Sequence, residues 1–214
     1  MFVRERMSTE PVTITASASI TEALRTLRQH HVRRLPVLDE NGALVGIVSE
    51  KDLLYASPSP ATSLSIYEMH DMLSRLQVTE LMTADPVTVS PDTLLEEAAL
   101  IMADSKFGGL PVVKDGELVG IITETDIFIV FLELLGARQK GLRLTLRIPE
   151  RMGEMARITT AIARLGGNIL ALGSFLGDDP STGIVTVKVV DVPADQLERA
   201  MQDLGLEILD CRET

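Results

Sequence analysis

The sequence predicts an α+β protein made of two parts: a pseudo-two-fold pair of β-α-β-β-α units, and after it a β-α-β-β-α-β domain. Three observations predict this fold class. One pattern of motifs occurs twice in the first 136 residues, and the last third has a different order of strand and helix patterns. The chain has 214 residues, 45% of them hydrophobic and 24% charged, which is typical of a folded chain with room for two or three small domains.

The internal repeat has an offset of 75 residues, since Met7 recurs as Met82 and Pro36 as Pro111. The offset becomes 74 after the first hairpin turn, where Gly46 recurs as Gly120. Two copies are too few for a solenoid, which needs about three or more repeats to close its core. We therefore expect the two copies to pack face to face.

Each copy is predicted to contain a short strand, a helix with apolar residues at i, i+3, i+4 and i+7, a hairpin and a second helix. Ser19 with Glu22 predicts a capping box at the first helix of copy one, and Asp92 or Thr93 can cap its counterpart. The second helices begin at Ser49 and Thr123. The predicted strands are 12–15, 35–38 and 44–48 in copy one, and 87–90, 110–113 and 118–122 in copy two.

Between the copies, residues 57–60 read Ser-Pro-Ser-Pro and predict a linker, and residues 65–76 predict an amphipathic helix. The predicted division of the chain is 1–57 for the first unit, 58–77 for the connector, 78–136 for the second unit and 137–214 for the C-terminal domain.

The last third begins with alternating apolar and polar residues at 142–148, the pattern of a half-buried strand. The β-α-β-β-α-β order that follows is the ferredoxin-like arrangement. Its remaining predicted elements are a helix at 155–165, strands at 169–175 and 184–190, a helix at 193–204 and a strand at 206–211.

Composition and charge exclude several classes of protein. The net charge of −11 argues against a nucleic acid partner. The longest apolar run, residues 127–135, contains Glu133 and is far shorter than the roughly 20 residues that span a bilayer, so no membrane anchor is expected. Residues 1–10 have no apolar signal segment, and the lone Cys211 fits a reducing compartment. We expect a cytoplasmic protein.

Two motifs in register identify a family. Leu35-Pro36-Val37-Leu38 with Val45-Gly46-Ile47-Val48-Ser49-Glu50-Lys51-Asp52 has a counterpart in Leu110-Pro111-Val112-Val113 with Val119-Gly120-Ile121-Ile122-Thr123-Glu124-Thr125-Asp126. This pattern, over residues 5–136, resembles tandem CBS domains, also called a Bateman module. The resemblance implies a regulatory ligand containing adenosine, bound in clefts between the copies.

The Ser/Thr-x-x-Asp element of this family implies that Asp52 and Asp126 accept hydrogen bonds from ribose hydroxyls, with Ser49 and Thr123 near phosphate. The same spacing is also a capping box that needs no ligand. The resemblance further implies an adenine slot, whose residues have plain core packing as an alternative role. They are Thr13, Ile14, Pro36 and Val37 in one cleft and Thr88, Val89, Pro111 and Val112 in the other.

The two copies differ in charge where the hairpin begins. Arg33 and Arg34 correspond to Gly108 and Gly109, so only one copy supplies a basic pair for phosphate. A solvated strand end is the alternative role for the arginines. The sequence leaves open which cleft they face, but it predicts two unequal sites.

The C-terminal third resembles an ACT domain. Residues 150–155, Glu-Arg-Met-Gly-Glu-Met, stand where that family has an Asp-x-Pro-Gly turn, with Glu150 in place of Asp and Met152 in place of Pro. The resemblance implies an amino-acid site, for which a turn at Gly153 and a helix end at 166–168 are the structural alternatives. The implied residues are Glu150, Gly153, Glu154, Asn168 and Ile169.

Catalysis is not expected, because the sequence has no metal-binding spacing, Ser-His-Asp set, P-loop or Gly-x-Gly-x-x-Gly motif. We expect a homodimeric regulatory protein that binds an adenine nucleotide and acts on a partner enzyme, with the ACT domain binding an amino acid or mediating dimerisation. The apolar residues 127–135 are expected to contact a second chain. The whole chain is similar to the acetoin-utilisation accessory proteins of bacteria. The alternative is a structural adaptor without a physiological ligand.

Overall fold

The computed structural model describes residues 1–55, 75–177 and 179–214. The predicted linker at 57–60 and nearly all of the predicted connector helix at 65–76 lie outside these residues. The described chain forms two compact units, Met1–Ile127 and Phe128–Thr214.

The first unit contains both copies with their predicted hairpins, and the second helix of copy two begins in this unit and continues into the next one. Copy one consists of β2 (Ile14–Thr15), α1 (Ile20–His30), β3 (Arg34–Leu38), β4 (Leu44–Ser49) and α2 (Glu50–Tyr55), preceded by a 3-10 turn (Val3–Glu5) and β1 (Ser8–Thr9). Copy two consists of α3 (Leu95–Ser105), β6 (Gly109–Lys114), β7 (Glu117–Thr123) and α4 (Glu124–Leu134), preceded by a 3-10 turn (Val78–Glu80) and β5 (Thr83–Ala84).

The first predicted strand of each copy is shorter in the structure. Residues 12–15 form the two-residue strand β2, and residues 87–90 contribute one parallel bridge between Val89 and Val112. Pro86 and Pro91 flank the second segment and have no amide hydrogen to donate, which limits the ladder to this bridge.

The two equivalent helices have different N-terminal caps. The Ser19 hydroxyl accepts a hydrogen bond from the Glu22 amide at 3.2 Å, which confirms the predicted cap of α1. The predicted cap of α3 by Asp92 or Thr93 is wrong, because Leu94 occupies the cap position and makes no side-chain bond. The Thr93 hydroxyl instead accepts from the Ser90 amide at 3.1 Å.

The two copies exchange the segments that precede them. β1 pairs with β7 of copy two, with Ser8 opposite Ile121, and β5 pairs with β4 of copy one, with Ala84 opposite Gly46. The resulting sheets have the orders β2-β3-β4-β5 and β1-β7-β6. The amide of Leu95, at the start of α3, donates to the Met1 carbonyl at 3.0 Å, so the N-terminal segment supplies the acceptor at this helix end.

Two glycines of the repeat make close contact with the exchanged segments. A Cβ atom on Gly46 would overlap the Met82 sulfur, and one on Gly120 would lie 2.8 Å from the Met7 sulfur and 2.9 Å from the Ser8 carbonyl oxygen. Each methionine therefore packs on the glycine of the other copy, because only glycine leaves room for it.

The second unit has the predicted β-α-β-β-α-β order. Its elements after α4 are β8 (Leu142–Pro149), α5 (Glu154–Arg164), β9 (Asn168–Leu176), β10 (Thr182–Val190), α6 (Ala194–Asp203) and β11 (Glu207–Glu213). The antiparallel sheet has the order β11-β8-β10-β9, and one face of it forms a core with Ile158 and Ile162 of α5 and Leu197 and Met201 of α6.

The other face of this sheet carries Lys188, whose side chain is buried and donates to the Gly136 carbonyl at 3.0 Å. In the part of α4 that belongs to this unit, Phe128, Phe131 and Leu134 are exposed. No helix among the described residues is long and apolar enough to cross a membrane.

The methionine contacts give a test of the exchange. Gly46→Ala should lower the melting temperature, because the new methyl group displaces Met82, and overpacking of this kind costs about 1–3 kcal/mol. Adding Met82→Ala should recover part of the loss, with a coupling energy of about 0.5 kcal/mol or more in a double-mutant cycle.

Met7→Ala is the matched control, since Met7 is the equivalent methionine of the other segment. Its effect should add to that of Gly46→Ala without coupling, because Met7 contacts Gly120. Coupling of Gly46 to Met7 rather than to Met82 would mean that each segment stays with its own copy.

Candidate functional site

A cavity of about 480 Å³ lies between the two copies within the first unit. We call it the arginine cleft. The N-terminal segment and copy one contribute Ser8, Glu10, Pro11, Val12, His31, Val32, Arg33 and Arg34, and copy two contributes Gly108, Ile121, Thr123, Glu124, Thr125 and Asp126. The arginines of copy one therefore face the Thr-x-x-Asp motif of copy two, a point that the sequence left open.

The start of α4 forms one wall of the arginine cleft. The Thr123 amide and hydroxyl both donate to Asp126 Oδ2, at 2.8 and 2.7 Å. Asp126 Oδ1 has no hydrogen bond among the described residues, and the side chain is half-buried. The capping-box interpretation thus accounts for one carboxylate oxygen and leaves the other available to a ligand.

The same arrangement occurs at the start of α2. The Ser49 amide and hydroxyl donate to Asp52 Oδ2 at 2.9 and 2.6 Å, and the Asp52 amide donates to the Ser49 hydroxyl at 3.3 Å. The two motifs of the repeat therefore have the same internal geometry, and any difference between the two sites comes from the groups that face them.

Arg34 begins β3 and Arg33 directly precedes it, and both residues line the arginine cleft. Neither side chain has an ion pair or a hydrogen bond in the part of the chain that the structure describes, and Arg34 is half-buried. Partial burial of an unpaired charge is unfavourable, and a guanidinium offers five donors in a planar fork. This pair is therefore well suited to an anionic group such as phosphate.

The sequence did not single out several residues of the arginine cleft. Glu10 and His31 both have left-handed backbone, with φ of 53°, and Glu124 follows the Thr123 cap. The repeat held one usable signal, because an acidic residue precedes a proline in both copies, as Glu10-Pro11 and Asp85-Pro86. Both acidic residues have positive φ in the structure. The residues that line the cleft and were not predicted as site residues are Ser8, Glu10, Pro11, Val12, His31, Val32, Gly108, Ile121, Glu124 and Thr125.

None of the residues predicted to line the adenine slot is among those that line the arginine cleft. Ile14, Val37, Val89 and Val112 are buried core side chains, and Pro36 and Pro111 are buried as well. Thr88 is exposed, and Thr13 lines a separate cavity beside the hairpin turns. The arginine cleft is lined instead by Pro11 and Val12, because β2 directs Ile14 into the core of copy one.

The predicted amino-acid site is divided by the structure. Glu154 is buried, accepting from Arg151 Nε at 2.6 Å and from Arg157 Nη1 at 2.8 Å. These two guanidinium groups, Arg151 foremost, hold the pKa of Glu154 below its usual value. Its carboxylate therefore anchors the start of α5, with both oxygens accepting hydrogen bonds from arginines.

The other residues of this predicted site are spread over two places. Gly153 has φ of 88° and precedes α5, and Glu150 nearby is exposed. Asn168 is exposed at the start of β9, and Ile169 packs against the core. Gly153 has the positive φ that its structural alternative, a turn, requires.

Metal ligands and a reactive thiol are two further kinds of functional group that a site can contain. Among the described residues no group of three or more His, Cys, Asp or Glu side chains is placed to hold a metal ion. Burial raises the pKa of the Cys211 thiol to about 11, so this thiol stays protonated at neutral pH.

Comparison with known proteins identifies the family. The sequence profile of the CBS domain matches residues 3–59 and 78–133, more than half of the chain. The chain belongs to the CBS-domain family. Its two matched segments correspond to the two copies of the repeat, each with its hairpin and Ser/Thr-x-x-Asp motif.

Three solved structures are similar to this chain. A protein assigned to acetoin utilization, AcuB from Vibrio cholerae, is 31% identical with a TM-score of 0.53, covering 65% of this chain and 96% of that one. The CBS pair of MJ0100, in complex with 5-methylthioadenosine and S-adenosyl-L-methionine, is 29% identical with a TM-score of 0.52, covering 65% and 98%. CBSX2 of Arabidopsis thaliana in complex with AMP is 35% identical with a TM-score of 0.50, covering 61% and 96%.

The cap at α4 can be tested without any ligand. Asp126→Ala should lower the melting temperature of the ligand-free protein, since loss of a capping acceptor costs about 0.5–2 kcal/mol. Asp126→Asn should retain most of the stability, because its one oxygen can still accept from Thr123. Thermal unfolding of both variants checks this, and equal destabilisation by the two substitutions would contradict it.

The buried ion pair of α5 predicts a pH dependence. Because the pKa of Glu154 is lowered from 4.5, its carboxylate stabilises the fold above about pH 4.5, and this contribution is lost as the pH falls through the lower folded-state pKa. Glu154→Gln should destabilise at pH 7 by about 1–3 kcal/mol, and its difference from the parent should shrink in acid. Melting curves from pH 7 to 3 measure this. The exposed neighbour provides the control, since Glu150→Gln should change little.

Proposed function

We propose that the arginine cleft binds an adenosine phosphate and that the chain is a regulatory protein without catalytic activity. The observation that carries this proposal is the pair Arg33 and Arg34, which have no ion pair with any residue that the structure describes and face the N-terminal end of α4 across one cavity. A helix N-terminus and two guanidinium groups both favour phosphate. The AMP complex of the similar protein CBSX2 supports this class of ligand.

The residues of the cleft divide the recognition between them. Asp126 Oδ1 is available to accept hydrogen bonds from ribose hydroxyls, and Arg33 and Arg34 supply donors for phosphate. Pro11 and Val12 offer an apolar surface for the adenine ring. Each group thus recognises a different part of one nucleotide.

Arg33 and Arg34 favour a phosphate over a sulfonium ligand where they line the cleft, which is also lined by the carboxylates of Glu10, Glu124 and Asp126. The similar CBS pair of MJ0100 was crystallised with S-adenosyl-L-methionine, whose sulfonium group is positive. Unpaired guanidinium groups repel a cation and attract an anion. We therefore place AMP and its higher phosphates ahead of S-adenosyl-L-methionine for this chain.

The two sites are proposed to be unequal. The motif of Ser49 and Asp52 has the same geometry as that of Thr123 and Asp126, but copy two supplies glycines at 108 and 109 where copy one has arginines. Each charge-assisted hydrogen bond to phosphate contributes about 1.5–3 kcal/mol, so the arginine cleft should be the tighter site.

The regulatory step would be a population shift, in which the nucleotide favours one packing of the two copies and thereby changes a surface that a partner enzyme contacts. The C-terminal unit is proposed to be an ACT domain that binds an amino acid or mediates dimerisation. Exposed Phe128, Phe131 and Leu134 support a homodimer. A cytoplasmic location and a role in acetoin or acetate metabolism are part of the proposal, and likeness to AcuB supports the acetoin role.

Nucleotide binding should be visible as thermal stabilisation. AMP at about 100 times its dissociation constant adds about 2.7 kcal/mol, which raises the melting temperature of a chain of this length by about 5–10 °C. Arg33→Ala with Arg34→Ala should reduce this shift, with a loss of affinity that grows from adenosine to AMP to ATP. Calorimetry with the three ligands measures the loss.

Arg25→Ala with Arg28→Ala is the matched control, since it removes the same charge from exposed positions of α1. It should leave the AMP shift unchanged. If both double variants bind ATP as well as the parent, the arginines are only a solvated strand end. If the parent responds to none of the adenosine compounds, the adaptor function is favoured instead.

A further inference from the structure

The guanidinium of Arg34 lies directly on Gly108 of the other copy. A Cβ atom on Gly108 would overlap Arg34 Nη2 and Cζ and would lie 3.0 Å from Nη1. The three atoms nearest to that position all belong to the guanidinium, and none belongs to the backbone. The Arg34 guanidinium therefore occupies the space that a side chain at residue 108 would fill.

The two residues of this contact come from neighbouring positions of the repeat, one in each copy. Arg33 and Arg34 occupy the same places in copy one as Gly108 and Gly109 in copy two, and the structure brings the arginine of one copy onto the glycine of the other. Gly109 is also close, with its Cβ position 3.5 Å from Arg34 Cδ. The arginine of one copy and the glycine of the other are thus complementary in shape, because the glycine leaves the room that the guanidinium needs.

We infer that Gly108 is a positioning residue that holds Arg34 toward the cleft and so lets the site distinguish ligands by phosphate charge. This inference rests on the proposed function. Arg34 and Gly108 both line the arginine cleft, and the Arg34 side chain is flexible. With any side chain at 108 the guanidinium must leave its place beside the start of α4, and its contact with phosphate is lost while the ribose acceptor Asp126 stays.

The test is Gly108→Ala, with AMP and adenosine as the two probes in calorimetry. Affinity for AMP should fall at least about tenfold, because a charge-assisted contact is lost. Affinity for adenosine should change by less than about twofold, because adenosine has no phosphate for Arg34 to contact. The ligand-free melting temperature should stay within about 2 °C of the parent, since only the end of a flexible side chain must move.

Arg34→Ala, alone and combined with Gly108→Ala, distinguishes an effect on the position of Arg34 from direct obstruction of the cleft by the new methyl group. If Gly108 acts through Arg34, then Gly108→Ala should cause no further loss of AMP affinity in the Arg34→Ala background. An equal loss for adenosine, or a further loss in that background, would show that the methyl group only fills the cleft and would overturn the inference.

Two further outcomes distinguish this inference from the function on which it rests. A parent that binds AMP and a Gly108→Ala variant that binds it equally well would refute the positioning role alone. A parent that binds neither AMP nor adenosine would refute the proposed function and the inference together.

Discussion

The exchange of N-terminal segments between the two copies is the constraint on which the first unit depends. β1 completes the sheet of copy two and β5 completes that of copy one, and each exchanged segment places a methionine on a glycine of the opposite strand. The same exchange brings Ser8, Glu10 and Pro11 beside the start of α4. Without it, the cleft would lose the wall that the N-terminal segment supplies.

The repeat supplies two equivalent frames, and divergence at a few positions makes them chemically different. The Ser/Thr-x-x-Asp motifs keep the same hydrogen bonds in both copies. The residues that begin the hairpin strands differ, with arginines in one copy and glycines in the other. Since a guanidinium occupies space that a glycine leaves empty, the two changes fit together, and the asymmetry concerns shape as well as charge.

Features set by neighbouring residues were predictable from the sequence. Features that depend on which of two equivalent segments a residue contacts were not. The hairpin of β3 and β4 was placed within one residue, because its turn is fixed locally: the Asp39 carboxylate accepts from the amides of Asn41 and Ala43. The exchange could not be predicted, because Met82 suits Gly46 and Gly120 equally well as sequence. The facing of Arg34 was undetermined for the same reason. In the C-terminal unit the spacing of apolar residues was enough to predict the order of strands and helices. The burial of Glu154 could not be predicted in this way, because it depends on hydrogen bonds from both Arg151 and Arg157.

The exchanged strands also constrain the order in which the protein can form during synthesis. Ser8 pairs with Ile121 across more than half of the chain, so the N-terminal strand has no partner until β7 has been made. β4 likewise waits for β5 to cover its free edge. Closing such long loops costs entropy before any contact is gained, and unpaired edges attract other strands. A nascent chain therefore leaves the edge of β4 open until β5 has been made and leaves β1 without a partner until β7 has been made, so copy one alone completes neither sheet.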